Sequence, residues 1–142
     1  MSYVKDQWKQ CVLKNDELFV TIDSEAEDEN KLKLCTKDIQ GSRAPKVWIC
    51  TRPEGERIHV AFRYMYEQEW YIAKVEENHL QLQLERFTDK LESISESCWF
   101  QAENQGLSSS CCLKNVKYKV YLYSSDHKLY ARQDEKSTFT LD

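Results

Sequence analysis

Apolar and polar residues alternate with a period of two along much of this chain, most plainly from Ile58 to Glu85. Ile58, Val60, Phe62, Tyr64 and Tyr66 fall on one side of the pattern, with His59, Ala61, Arg63 and Met65 on the other. Leu80, Leu82 and Leu84 alternate in the same way with Gln81, Gln83 and Glu85. Successive side chains of a strand point to opposite faces, so each apolar set belongs to one face of a pleated ribbon. The stretch reads as three strands in a row, with neither a helix nor a glycine-rich loop between them.

The same period, read with turn residues as punctuation, predicts about twelve short strands over the whole chain. They are Gln10–Leu13, Leu18–Ile22, Lys31–Cys35, Lys46–Thr51, Ile58–Tyr66 and Trp70–Val75. Leu80–Glu85, Cys98–Ala102, Ser110–Leu113, Tyr118–Tyr123, Lys128–Arg132 and Thr138–Leu141 follow. The connections carry N-D, Q-G-S, R-P-E-G, E-E-N, N-Q-G and S-S-D, which is turn chemistry. Thr88–Ser97 is the one segment that reads as a helical turn. Many short strands at this spacing predict an all-β sandwich or barrel. Twelve is the strand number of a β-trefoil, in which three four-strand units close a barrel without edges. The expectation is a single all-β domain over residues 1–142, although no internal sequence repeat supports the three-fold division.

Composition narrows the class. With 142 residues the chain can bury enough surface for a core without staples. Apolar residues make up 41% and charged residues 31%, the balance of a globular protein. No apolar run approaches the roughly 18–20 residues that span a bilayer, so membrane insertion is not expected. The opening M-S-Y-V-K-D-Q-W-K-Q is charged throughout and does not read as a signal peptide. Six cysteines (Cys11, Cys35, Cys50, Cys98, Cys111, Cys112) lack any C-x-x-C pair. The first four sit in strand-like apolar runs, where a reduced thiol packs as a small hydrophobe. Vicinal Cys111 and Cys112 stay open as to whether either forms a disulfide.

The net charge of −4 is unevenly spread. Asp23 to Glu29 reads D-S-E-A-E-D-E, an expected acidic loop, whereas Lys114 to Lys136 holds six Lys/Arg against Asp126, Asp134 and Glu135. An acidic chain lacks the counterion-release term that dominates nucleic-acid binding, so nucleic acid is not an expected partner. A heparin-binding module would need a concentrated basic patch, which the C-terminal third alone can supply.

Candidate chemistry is sparse. His59, His79 and His127 have no second ligand at metal spacing, so no metal is expected. Ser124-Ser125-Asp126-His127 has the letters of a hydrolase triad, but neighbours in one turn cannot adopt triad geometry. With three glycines (Gly41, Gly55, Gly106) no glycine-rich phosphate cradle exists, and no cofactor is expected. Gln68-Glu69-Trp70 matches a sugar-binding Q-x-W once, where a lectin would repeat it, so Trp70 reads as a strand residue covering the barrel. The residues favour a non-enzyme that acts by surface recognition.

Several segments resemble the interleukin-1 superfamily of β-trefoil cytokines, its interleukin-18 and interleukin-1β branches in particular. V12-L-K-N-D-E-L-F-V-T-I-D23 is similar to the family's first hairpin, and Ala44 to Phe62 to a proline-led strand, charged turn and alternating strand. Tyr71 to Glu85, with its L-Q-L-E, resembles central strands there, and S137-T-F-T-L141 the closing strand. The late family signature has a proline that L107-S-S-S-C-C-L-K-N-V-K-Y-K-V-Y-L122 lacks, which leaves agonist and antagonist both open.

The resemblance implies a monomeric, secreted, pro-inflammatory cytokine made as a cytosolic precursor. It would bind an immunoglobulin-like primary receptor, recruit an accessory chain, and be open to a soluble binding protein. By position it implies receptor-facing roles for Lys5, Lys9 and Lys14 and for Asp16 and Glu17 in the turn that follows. The same holds for Arg52, Glu54 and Arg57 in a charged loop between the fourth and fifth strands, and for Arg132, Asp134 and Lys136 in the last loop. Arg52, Arg57 and Lys14, long side chains at strand ends, are the expected anchors. The other expectation is an intracellular, non-enzymatic β-trefoil binding module.

Overall fold

The computed structural model describes residues 8–23, 32–38, 45–76, 79–87, 94–104 and 110–141. Lys5, the acidic run beyond Asp23 and residues 88–93 of the expected helical turn lie outside them. The protein is all-β, as the alternation predicts. The first expected strand is two, β1 (Lys9–Cys11) and β2 (Leu13–Asn15), divided at Val12. Then come β3 (Leu18–Ile22), β4 (Leu32–Lys37), β5 (Val47–Glu54), β6 (Arg57–Tyr66), β7 (Glu69–Glu76) and β8 (His79–Arg86). A short 3-10 helix, Glu96–Cys98, precedes β9 (Phe100–Asn104), β10 (Ser110–Asn115), β11 (Tyr121–Ser125), β12 (Lys128–Arg132) and β13 (Phe139–Leu141).

The pairings close on themselves. β5 pairs with β6, β6 with β9, β9 with β10, β10 with β13 and β13 with β2. The other half of the divided strand, β1, returns to β5. The interruption at Val12 therefore hands the chain from one side of the barrel seam to the other. Three strand pairs, β3–β4, β7–β8 and β11–β12, cover one end. There β4 pairs with β8, β8 with β12 and β12 with β4, so each of the three pairs meets the other two. A seven-strand circuit, β6-β7-β8-β12-β11-β10-β9, is also closed. Closure removes the raw strand edges on which sheets otherwise associate.

Inside lies a core of Leu13, Val20, Leu34, Val47, Val60, Phe62, Val75, Leu82, Leu84, Phe100, Leu113, Leu122 and Phe139, all buried. β6 departs from the simple alternation. Val60, Phe62 and Tyr64 are buried as expected, but Ile58 is 53% exposed at the strand's start. The opposite set is not solvated either: His59, Ala61 and Arg63 are buried, and of that set only Met65 is exposed. The cause is a second apolar cluster of Trp8, Cys50, Ala61, Ile72, Ile94, Cys98 and Trp99, packed on the outer face of β5, β6 and β7. Arg63 is accommodated there because its guanidinium lies between the Trp8 ring at 4.3 Å and the Trp70 ring at 3.8 Å. Stacked aromatic faces take a weakly hydrated planar cation where an ammonium would need water.

Two of the tight turns are unusual in composition. Glu67 and Gln68 both have positive φ, as do Asp126 and His127. This is the type I′ pattern that matches the twist of a two-residue hairpin, filled here without glycine. Ser124–His127 is thus a hairpin end, as the sequence reading has it. The strand expected to start at Tyr118 starts at Tyr121 instead, because a turn with Lys119 at φ 60° occupies its first residues. Asn115 fixes that turn from below. Fully buried, it donates through Nδ2 to the Ser97 carbonyl (2.8 Å) and accepts through Oδ1 from the Tyr118 amide (3.0 Å).

Candidate functional site

Directly opposed residues of antiparallel strands carry their side chains on the same face. The registers align a single row across six strands: Arg52 opposes His59, His59 opposes Gln101, and Gln101 opposes Lys114. Lys114 in turn opposes Tyr121, and Tyr121 opposes Arg132. The neighbouring inward positions, Val60, Phe100, Leu113, Leu122 and Ala131, are all buried, so the row lies on the outer face of the barrel. Two candidate groups distant in sequence, the Arg52–Arg57 turn and the Arg132–Lys136 segment, lie at the two ends of this row. Sequence reading missed its middle, His59, Gln101, Lys114 and Tyr121. Only the strand registers reveal it, since each strand contributes one or two polar residues among ordinary alternation.

At one end Arg52 is engaged within the protein rather than free. Its Nη1 and Nη2 donate to Glu96 Oε1 (3.0 Å) and Oε2 (3.1 Å), a bidentate pair from β5 to the 3-10 helix. Nη2 also lies 2.9 Å from His59 Nδ1, and the guanidinium is 4.4 Å from the Trp99 ring centroid. Nε faces Glu54 Oε1 at 3.3 Å. This makes His59 an acceptor at Nδ1, the neutral tautomer with its proton on Nε2. Burial first, then the adjacent Arg52, holds His59 below the usual imidazole range. The Arg52 hydrogen bond holds the Glu96 carboxyl below the usual range, against its own desolvation. Arg57 differs: it is exposed on β6 and reaches Gln101 Oε1 at 3.5 Å. Arg52 and Glu54 end a strand, and the connecting turn is Gly55-Glu56 alone, so the expected loop is a tight hairpin.

At the other end, Lys114 Nζ and Lys136 Nζ lie 5.4 and 5.1 Å from the Tyr121 ring centroid. Arg132 lies 4.7 Å from the Tyr130 ring. The Tyr121 hydroxyl donates to Glu103 Oε1 at 2.8 Å, which raises the phenol above its usual range. Asp134 is exposed nearby in sequence, between Arg132 and Lys136. The remaining candidates sit elsewhere. Lys9 is exposed on β1 opposite Ile49. Lys14 on β2 opposes Phe19, with Nζ 5.3 Å from that ring, and Asp16 and Glu17 form the exposed turn beside it.

None of the six cysteines is in a disulfide. Cys98 is on the 3-10 helix rather than in a strand, and burial pushes its thiol up to about 11. Burial likewise raises Cys50, Cys111 and Cys112. Among the described residues no group of three His, Cys, Asp or Glu is placed to hold a metal ion. A shallow concavity of about 360 Å³ lies between the β3–β4 and β11–β12 hairpins, lined by Asp23, Thr36, Lys37, Asp38, Asp126, His127 and others. Trp70, the tryptophan of the lone Q-x-W, is covered by Arg63 and packs edge-on against Trp48 at 4.9 Å.

No family profile matches the chain, and neither does any curated protein. Solved structures do match, over nearly its whole length. A chicken interleukin-1 mutant superposes with a TM-score of 0.71 at 14% identity, covering 96% of both chains. A Culex salivary protein of the cysteine- and tryptophan-rich family gives 0.64 at 13%, covering 99% of this chain and 98% of that one. SeviL, solved with the asialo-GM1 saccharide, gives 0.63 at 12%, covering 94% and 95%. The protein has an interleukin-1-like fold. That fold is shared with proteins of different activity.

Proposed function

We propose that the protein is a β-trefoil ligand of the interleukin-1 superfamily. In this reading it is secreted, binds an immunoglobulin-like primary receptor, recruits an accessory chain, and has no catalytic centre. The likeness to chicken interleukin-1 carries the reading, with a TM-score of 0.71 over 96% of both chains against 0.64 for the Culex salivary protein. The sequence resemblance adds to it. Its quoted segments fall on β2–β3, β5–β6, β7–β8 and β13, each in family order. The mutual pairing of β4, β8 and β12 under a closed barrel supports the trefoil assignment. A saccharide reading, suggested by SeviL, is weakened at Trp70, whose face is occupied by Arg63 and so offers no platform to a sugar ring.

Within the receptor reading, Arg57 and Lys14 are the anchors to test, and Arg52 supports the hairpin that presents Arg57. Sensorgrams against a panel of immunoglobulin-like receptor ectodomains test this directly. Arg57→Glu and Lys14→Glu should each weaken binding at least tenfold, about 1.4 kcal/mol, with an unchanged melting temperature. Lys74→Gln, which removes an ion pair with Glu85 on another face, should be neutral. Intact binding in both reversals rejects the anchor assignment. If no ectodomain binds the wild type at micromolar concentration, the receptor reading is replaced by the intracellular binding module.

A further inference from the structure

We propose that Lys114, Arg132 and Lys136, gathered around Tyr121, form a binding site for a sulfated polysaccharide, separate in its chemistry from the receptor reading. The observation is how these cations are held. Lys114 and Lys136 both have Nζ within 5.4 Å of one ring centroid, and Arg132 stands directly opposite that tyrosine on the next strand. Among the described residues none of the three is paired with a carboxylate. Aromatic faces orient the cations but leave their charge unneutralised. Of the carboxylates nearby, Glu103 accepts from the Tyr121 hydroxyl at 2.8 Å and the Gln101 amide at 3.1 Å, and Asp134 and Glu135 are exposed between Arg132 and Lys136 without an ion pair to any of the three among the described residues. Single lysines lie over rings elsewhere, Lys14 on Phe19 and Lys117 on Tyr118, but only at Tyr121 do two share one ring among the described residues, whereas Arg52, Lys74 and Arg86 each face a glutamate.

The chemistry selects among anionic partners. The cluster lies on the outer sheet face, and the exposed large apolar residues among those described, Ile58 and Met65, are both on β6. The cluster's rings, Tyr121 and Tyr130, are covered by its own cations, so it offers neither the apolar centre of a protein interface nor the apolar face that grips a membrane. A flexible polyanion of closely spaced sulfates needs only cations, and binds by releasing its own counterions. Overall charge is −4, so attraction is confined to this patch rather than spread over the molecule.

The test is heparin affinity as a function of salt, using the full chain. Wild type should stay on immobilised heparin at about 0.15 M salt. The slope of log affinity against log salt should fall by about one for each cation removed, as for other polyanions. K114Q/K136Q should therefore lose retention at that salt, and R132Q should lower it. K74Q/R86Q changes net charge equally but removes cations already neutralised, and should elute with wild type. Circular dichroism and melting temperature verify that each variant is folded. Elution of wild type below 0.15 M overturns the site, as does equal loss in both double variants. Retention on phosphatidylserine vesicles without retention on heparin overturns it in favour of a lipid surface.

Discussion

Replacing Arg52 with alanine should destabilise the fold by about 3 kcal/mol, whereas Arg57→Ala immediately beyond the same turn should stay within about 0.5 kcal/mol. The larger figure is assembled from geometry. The bidentate pair with Glu96 contributes about 1 kcal/mol after discounting for the carboxylate, which is 52% exposed. Stacking over Trp99 adds about 0.5–1 kcal/mol. The His59 contact at 2.9 Å adds about another 1 kcal/mol, since its removal strands a nitrogen in a residue only 8% exposed. At about 0.3 kcal/mol per degree for 142 residues, the melting temperature should fall by roughly 10 °C. Differential scanning fluorimetry of Arg52→Ala, Glu96→Ala and the double variant measures it, and the cycle should return a coupling of about 1 kcal/mol. The clasp also sets a pH dependence. His59 and Glu96 both titrate lower in the folded protein than in the unfolded chain, so the unfolded state takes up protons first as pH falls. The stabilisation is complete above the ordinary histidine value of 6.5 and declines below it, with the Glu96 share lost below 4.5. Arg52→Ala should flatten the Glu96 limb. Equal melting temperatures for Arg52→Ala and Arg57→Ala would refute the clasp.

Three other outcomes follow from the fold. Gln68→Gly should raise stability by about 1 kcal/mol in urea unfolding, because it relieves a side chain held at φ 67° in an exposed turn; a loss of stability would mean the side chain holds the turn. Asn115→Ala should cost about 2–4 kcal/mol, since it leaves the buried Ser97 carbonyl and the Tyr118 amide without partners; a change below 1 kcal/mol would mean that water replaces both bonds. Native alkylation followed by mass spectrometry should label Cys11, the half-buried thiol, before the five buried ones, with Cys98 slow because few of its thiols ionise. Early labelling of Cys98 would contradict its placement.

Much of the strand framework was legible in the sequence because period two and turn residues are local signals. Leu18–Ile22 and Lys128–Arg132 fall at the expected boundaries. Long-range packing was not legible. His59, Ala61 and Arg63 stand opposite the apolar set in the alternation, and only the second cluster containing Trp8, Ile94 and Trp99 accounts for their burial. The division at Val12 is equally silent, since one continuous run serves two partners far apart in sequence. The candidate surface was legible in part: charged residues near turns could be named, but not that Arg52 is clasped by Glu96 while Arg57 is exposed. Nor could the alignment of Gln101, Lys114 and Tyr121 be read, because it depends on registers between three different strand pairs.

The seam has a consequence for how the protein is made. Leu13 pairs with Leu141 and Lys14 with Thr140, so the barrel is completed by residues from opposite ends of the described chain. Synthesis delivers β2 early and β13 last. Until Phe139 leaves the ribosome, β2 and β10 both present unpaired edges, and the place of a side chain that ends 1% exposed stands empty. Closure of the barrel thus waits for β13, and contacts of such sequence separation form slowly. A polypeptide cut short before β13 would carry nearly the whole core on two raw edges. Such a fragment is a substrate for strand-to-strand aggregation rather than a smaller version of the fold.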